Sequence, residues 1–231
     1  MSSPPRNDRA AVLAGILRER VRTVGRRLLV VGCGSGTEAA ALAAALGAEV
    51  VGIDLAGNFD PAAAAVAQLR TGDATCLEFA DASFDLIHSY HVLEHIPNYN
   101  KALAEMRRVL APGGWYCIGT PNRLRLVGYL GSQQTAWRDK LAWNAADWNA
   151  RLHGRFRNEL GAHAGFTSAE LQGMLKKAFG NAEEISLRYY LRLYRNHAGL
   201  LSALGKSGLS RFAFPALYFV GTRRDSSPAA C

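Results

Sequence analysis

The chain is poor in several things. Its 231 residues hold four cysteines, Cys33, Cys76, Cys117 and Cys231, and none forms a Cys-x-x-Cys pair. That spacing leaves no zinc-ribbon or dithiol motif and fits reduced thiols in a cytoplasm. Acidic residues are outnumbered, 19 against 27 Lys and Arg, for a formal net charge of +8; an anionic partner suits such a balance, although many soluble enzymes share it. Long apolar runs are missing too. The uncharged stretch Ala39–Ala48 is mostly alanine and too short to cross a bilayer. Near the start, Val12, Leu13, Ile16, Leu17 and Val21 recur at helical spacing around Arg18, Glu19 and Arg20, which predicts an amphipathic helix rather than a signal peptide. There is no internal repeat and no low-complexity linker, so one domain over 1–231 is expected.

What is present is a 49% hydrophobic content, ample for a buried core. Short apolar runs alternate with helical stretches, the rhythm of parallel strands joined by crossover helices. Strands are predicted at Leu28–Cys33, Val50–Asp54, Val66–Thr71, Phe84–Tyr90 and Trp115–Thr120. Helices are predicted at Thr37–Leu46, Pro61–Ala65 and Tyr99–Leu110, the last showing Leu103, Met106 and Leu110 on one face before a Pro-Gly-Gly stop. A further helix opens at Thr167-Ser168-Ala169-Glu170, a capping-box pattern. "AEEISLRYY" and "FAFPALYFVGTRR" read as two closing strands on an antiparallel sheet edge, followed by a frayed tail from Asp225.

The first strand ends in Gly32, Gly34 and Gly36, and the second in Asp54. Glycines there let a ligand lie against main chain, and the following helix N-terminus offers free N–H groups. In open α/β sheets ligands bind at the carboxyl ends of the strands beside such a turn. Asp54 is placed to accept ribose hydroxyls, and Asp73 in "TGDA" to receive an adenine amine. "SFDLIHSYHVLEH" and "RRVLAPGGWYCIGTPN" then follow in order. With these four motifs the chain resembles the class I S-adenosylmethionine-dependent methyltransferases from about Leu28 to Asn122. "HVLEHIPN" and "GTPNR" are most similar to the small-molecule branch that includes ubiquinone-biosynthesis-type O-methyltransferases. The resemblance implies a Rossmann-like α/β fold with a mostly parallel seven-stranded sheet, helices on both faces and an inserted cover after strand five. It implies S-adenosylmethionine as cofactor, with Gly32, Cys33, Gly34 and Gly36 under its methionyl part and ribose. Asp54 would meet the ribose, Leu55, Asp73 and Ala74 the adenine, and His91 the region of the methyl group. One departure is the short interval from Asp54 to Asp73, which leaves little room for a second helix.

"HVLEH" supports three readings. It matches the H-x-x-E-H pattern of a zinc peptidase family, but in the wrong structural context. His91, at the carboxyl end of the fourth strand, could instead act as general base, with His95 as a second catalytic candidate. Or His91, Glu94 and His95 hold the loop or a cation; relatives place an acidic residue where this chain has His91, which argues against an oxygen-rich site, and no metal ligand is assigned. His88 is expected to face packed neighbours, and Asp85 receives no role.

Residues 123–165 form the expected cover. It is net basic through Arg123, Arg125, Arg138, Lys140, Arg151, Arg155 and Arg157, against Asp139, Asp147 and Glu159, and it carries Trp137, Trp143 and Trp148. These tryptophans do not make one tidy helical stripe; they line an aromatic pocket, meet lipid or pack the cover down. Trp137, Trp143 and His163 are the substrate-binding candidates. The expected partner is a small-molecule or lipid-like acceptor, a phenol, quinol, sugar or acid methylated on oxygen or nitrogen. Peripheral contact at the inner membrane surface through Arg123, Arg125 and Arg138 stands as an accessory expectation for an otherwise cytoplasmic enzyme. The rivals are a non-catalytic S-adenosylmethionine-binding module and a nucleic-acid methyltransferase. The second lacks the adenine-reading [DNS]PP[YFW] tetrapeptide and any added basic arm. A dinucleotide oxidoreductase would need glycine or alanine at Thr37.

Overall fold

The computed structural model describes residues 6–20, 27–129, 136–160 and 163–224; Val21, Cys231 and the tail from Asp225 lie outside the described residues. Seven strands form one sheet: β1 (Arg27–Val31), β2 (Glu49–Asp54), β3 (Gln68–Thr71), β4 (Phe84–Tyr90), β5 (Leu110–Pro121), β6 (Glu183–Glu184) and β7 (Ala216–Thr222), in the order β3-β2-β1-β4-β5-β7-β6. The first five are parallel, while β7 runs antiparallel to β5 and to β6. The order reverses between β1 and β4, so a crevice opens outside their carboxyl ends, the usual ligand position in such sheets.

β1, β2, β4 and the second half of β5 are buried on both faces, which accounts for their nearly continuous apolar runs, while the edge strand β3 is largely exposed. One face packs against α1 (Arg6–Arg20), α2 (Thr37–Leu46) and α7 (Ser186–Leu193), with Leu13, Ile16, Leu17, Leu42 and Tyr189 in that layer. The other packs against α4 (Tyr99–Val109) and α6 (Ser168–Phe179) through Leu103, Met106, Leu171, Leu175 and Phe179. Thr167 and Glu170 close the expected capping box at the start of α6. The interval after β2 holds only the four-residue α3 (Pro61–Ala64).

Two expectations need correction. β5 begins at Leu110 rather than Trp115, because the chain turns straight from α4 into the sheet and pairs Leu110 with Phe84. In "AEEISLRYY" only Glu183 and Glu184 are strand; Ser186 onward is helical, burying Ser186, Tyr189 and Tyr190 at i, i+3 and i+4. Its other side sends Arg188 and Arg192, one turn apart, to Glu19 of α1. Between β5 and α6 lies a 16-residue helix, α5 (Trp137–Leu152), and before β7 come α8 (Ala198–Lys206) and α9 (Ser210–Ala213).

Candidate active site

The turn after β1 is built as expected. Gly34, at φ 54°, has open space where a side chain would stand, so its main chain faces the crevice. At Gly32 and Gly36 that space is already filled, by Val92 and Leu69, so close packing requires those two glycines. Cys33 is buried beside them, and burial, followed by the charge of Asp54, pushes its thiol up to about 11. Asp54 ties the two loops together: one carboxylate oxygen accepts the Gly34 N–H at 2.8 Å, the other that of Ala56 at 3.0 Å. Each oxygen keeps a lone pair for a ligand hydroxyl. Leu55 is 75% exposed at the crevice mouth, a position that costs apolar exposure unless something flat covers it. Asp73 accepts the Thr75 N–H at 2.7 Å, which holds its carboxyl below the usual range, and Ala74 is buried next to it. An open backbone cradle, a carboxylate pair and an exposed leucine together fit an adenosyl group with a methionyl tail.

Beneath the turn, His88 is buried and donates to the Cys117 carbonyl and to Glu38, each at 3.2 Å. Burial opposes a charge there, but the two hydrogen bonds and the Glu38 carboxylate overcome it and raise the imidazole to about 10. His88 is a packed, charged brace, as its place in the strand suggested.

His91 directly follows β4 and stands at φ 57° while its N–H donates to the Gly119 carbonyl at 3.0 Å. A left-handed histidine costs energy and marks a constrained site. The next residues form a single 3₁₀ turn, Leu93–His95, not the α-helix that the H-x-x-E-H pattern requires. That turn buries Glu94. His91 Nδ1 and His95 Nε2 each lie 3.9 Å from the same carboxylate oxygen, and neither oxygen of Glu94 has a hydrogen-bond partner among the described residues. Burial raises Glu94 to about 7 against the opposing pull of Arg125. His91 opens on the crevice through 42% of its side chain. Crowding on its remaining sides, then the charge of Arg125, lowers it to about 3. Burial also lowers His95. A His163 ring from the insertion meets His95 edge-on at 4.7 Å, and the Tyr90 ring lies 4.1 Å from His91. Tyr90 stacks on Tyr218 across Gly119, where a side chain would collide with both rings. Sequence reasoning named His91, His95 and His163 but gave Glu94 no catalytic part; its burial was the missing information. No group of three His, Cys, Asp or Glu among the described residues has the geometry to hold a metal ion.

The tryptophans divide. Trp143 packs edge-on against Tyr129 at 5.1 Å, and Trp148 Nε1–H donates to the Leu126 carbonyl. Trp137 is 68% exposed and shares the outer side of α5 with Leu141 and Leu152. Arg125 is buried, not turned to lipid: it binds Asp147 of α5 at 2.9 Å and the carbonyls of Asn122, His163 and Ala164. Arg123 likewise binds the Gly165 carbonyl and Glu170. Both are structural braces for the insertion.

The profile of a methyltransferase domain matches residues 29–118. An uncharacterized methyltransferase of Mycobacterium sp. (strain JLS) is 34% identical over 194 residues, 75% of this chain and 73% of that protein. A ubiquinone biosynthesis O-methyltransferase of Paracidovorax citrulli is 38% identical over 112 residues, 43% of this chain but only 45% of its own length; the chain thus spans less than half of some relatives. Among solved structures, Haemonchus contortus phosphoethanolamine N-methyltransferase 2, in complex with phosphomonomethylethanolamine and S-adenosylhomocysteine, superposes with a TM-score of 0.56 at 21% identity, covering 91% of this chain and 52% of that one. Glycine turn, paired aspartates, strand order and these similarities agree: the chain belongs to the class I S-adenosylmethionine-dependent methyltransferase family.

Proposed function

We propose that the protein methylates an oxygen of a small, apolar-bodied acceptor, a phenol or a quinol-like ring, at the carboxyl end of β4. The observation that carries this reading is the buried Glu94 carboxyl with an imidazole on either side, at the mouth of the cofactor crevice. S-adenosylmethionine, bound over Gly34, Asp54, Leu55 and Asp73, supplies a methyl group on a cationic sulfur, open to in-line displacement. The chain's own residues position the acceptor and take its proton. Tyr90, backed by the buried Tyr218, offers an aromatic wall, and the neutral His91 ring accepts the hydroxyl proton at Nε2 while Nδ1 faces Glu94. An imidazole lowered to about 3 holds a proton poorly, so the proton passes on from Nδ1 to Glu94, whose value near 7 suits receipt and release at neutral pH. His163 and the insertion keep bulk water from the reacting atoms.

The test is methyl transfer to a panel of catechols and hydroquinones, with His91→Gln and Glu94→Gln beside the unaltered chain. Expected is a fall in kcat of about 100-fold for each, with S-adenosylhomocysteine affinity by calorimetry held within twofold. Activity retained by both variants would remove the proton relay, and absence of transfer to any member would remove the acceptor class.

A further inference from the structure

Helix α5 is mounted inside out. The positions that face the protein are polar: Asn144 bonds the Gly128 N–H and carbonyl, Asp147 pairs with Arg125, and Arg151 donates to the carbonyls of Arg123 and Arg125. The adjoining stripe, centred about 80° round the helix from them, is apolar and exposed. Trp137, Leu141, Trp148 and Leu152 fall within about 60° of one another on an α-helix, and they are 68%, 56%, 42% and 81% exposed. No residue of α5 is buried. A helix in water normally presents the reverse arrangement, and contiguous apolar surface of this kind marks a contact with something else.

The patch continues beyond the helix. The Leu126 carbonyl accepts Trp148 Nε1–H, and its N–H donates to Phe212 of α9, so α5 and α9 flank one segment in which Leu126 and Val127 are exposed; Leu209 is exposed just ahead of α9. Charge around this surface has one dominant sign. Arg138, Lys206 and Arg211 are exposed there, and from Arg195 to Ala213 the chain has three Lys or Arg and no Asp or Glu.

We propose that this face, α5 with Leu126, Val127 and the α8–α9 end, lies on an anionic lipid surface, with the α5 stripe sunk into the headgroup boundary. Indoles at two levels of an exposed apolar stripe suit that boundary. Single-sign charge favours acidic headgroups and disfavours a second copy of the same face. The helices involved stay in the plane of the surface, since none among the described residues is long and apolar enough to cross it. The proposal stands independently of which acceptor is methylated.

The test is co-sedimentation with vesicles of phosphatidylcholine alone and with about one-third phosphatidylglycerol. Expected is binding to the acidic vesicles at least about tenfold stronger than to neutral ones, and weaker in high salt. The variant Trp137→Ser/Leu141→Ser/Leu152→Ser should lose at least about tenfold of that partitioning. Arg138→Glu/Lys206→Glu/Arg211→Glu should lose more than about 100-fold, at about fivefold or more per charge. Both should keep the melting temperature and S-adenosylhomocysteine affinity of the unaltered chain, which shows that their fold is intact. Failure of the unaltered chain to bind acidic vesicles, or full binding by the stripe variant, overturns the proposal. So does a dimer in sedimentation velocity that the stripe variant abolishes, since the occupant is then a second copy.

Discussion

Replacing Glu94 with glutamine separates a buried acid from a buried ion pair. The side chain has no exposed surface and no hydrogen-bond partner for either oxygen, and burial lifts its pKa from 4.5 to about 7. The sign follows from linkage: a carboxyl that titrates higher in the folded chain gives stability fully present below pH 4.5 and lost as the pH rises through 7. At about 1.4 kcal/mol per tenfold, ionising Glu94 costs the fold roughly 3 kcal/mol above pH 7. Glutamine never ionises. Glu94→Gln should therefore melt close to the unaltered chain at pH 4.5 and increasingly above it from pH 5 upward, by about 6–12 °C at pH 8 for a chain of this size. Scanning calorimetry at pH 4.5, 6.5 and 8 reads the difference directly, and the proposed relay expects the same substitution to slow methyl transfer. The opposite result, a variant that melts lower at pH 8, would show that the carboxylate is already ionised and paired with an imidazolium of His91 or His95, and the proton route through Glu94 would fall.

Asp54→Ala removes the acceptor for the N–H groups of Gly34 and Ala56, at 2.8 and 3.0 Å; S-adenosylhomocysteine affinity should drop at least about tenfold, and unaltered affinity in calorimetry would move the ribose contact elsewhere. Gly165 has φ 73°, and a side chain there would stand 1.9 Å from the Pro121 carbonyl oxygen. Gly165→Ala should destabilise by about 3 kcal/mol or more, read as a lowered urea midpoint; an unchanged midpoint would mean that the base of the insertion yields freely. His88, raised from 6.5 to about 10, stabilises fully below pH 6.5 and loses that contribution as pH climbs through 10. His88→Gln should flatten the alkaline fall in melting temperature between pH 7 and 10, and an equally steep fall in the variant would assign the alkaline transition to other groups.

The sheet's parallel half was legible because its signals are local. Strands buried on both faces read as apolar runs, and Thr37–Leu46 and Tyr99–Val109 show helical periodicity between glycine or proline stops. "SLRYYLRL" misled because tyrosine and leucine suit strands as well as helices, and the deciding partner, Glu19, lies far away in sequence. α5 escaped because its protein-facing positions are polar, so a search for an inward apolar stripe finds nothing there. At the site, residue types were visible but their environment was not. His91, Glu94 and His95 are neighbours in any conformation, yet only a 3₁₀ turn after a left-handed His91 brings both imidazoles to one oxygen of a buried carboxyl.

Arg125 belongs to the insertion, held by Asp147 and three backbone carbonyls, yet its positive field reaches His91 and Glu94. Burial sets most of their acidity, but this guanidinium trims both values, and it travels with the segment that closes over them. Lifting that segment would let in water and withdraw the cation together, returning imidazole and carboxyl toward their everyday strengths. The cover over the two groups and the cation that tunes them thus belong to one segment of the chain.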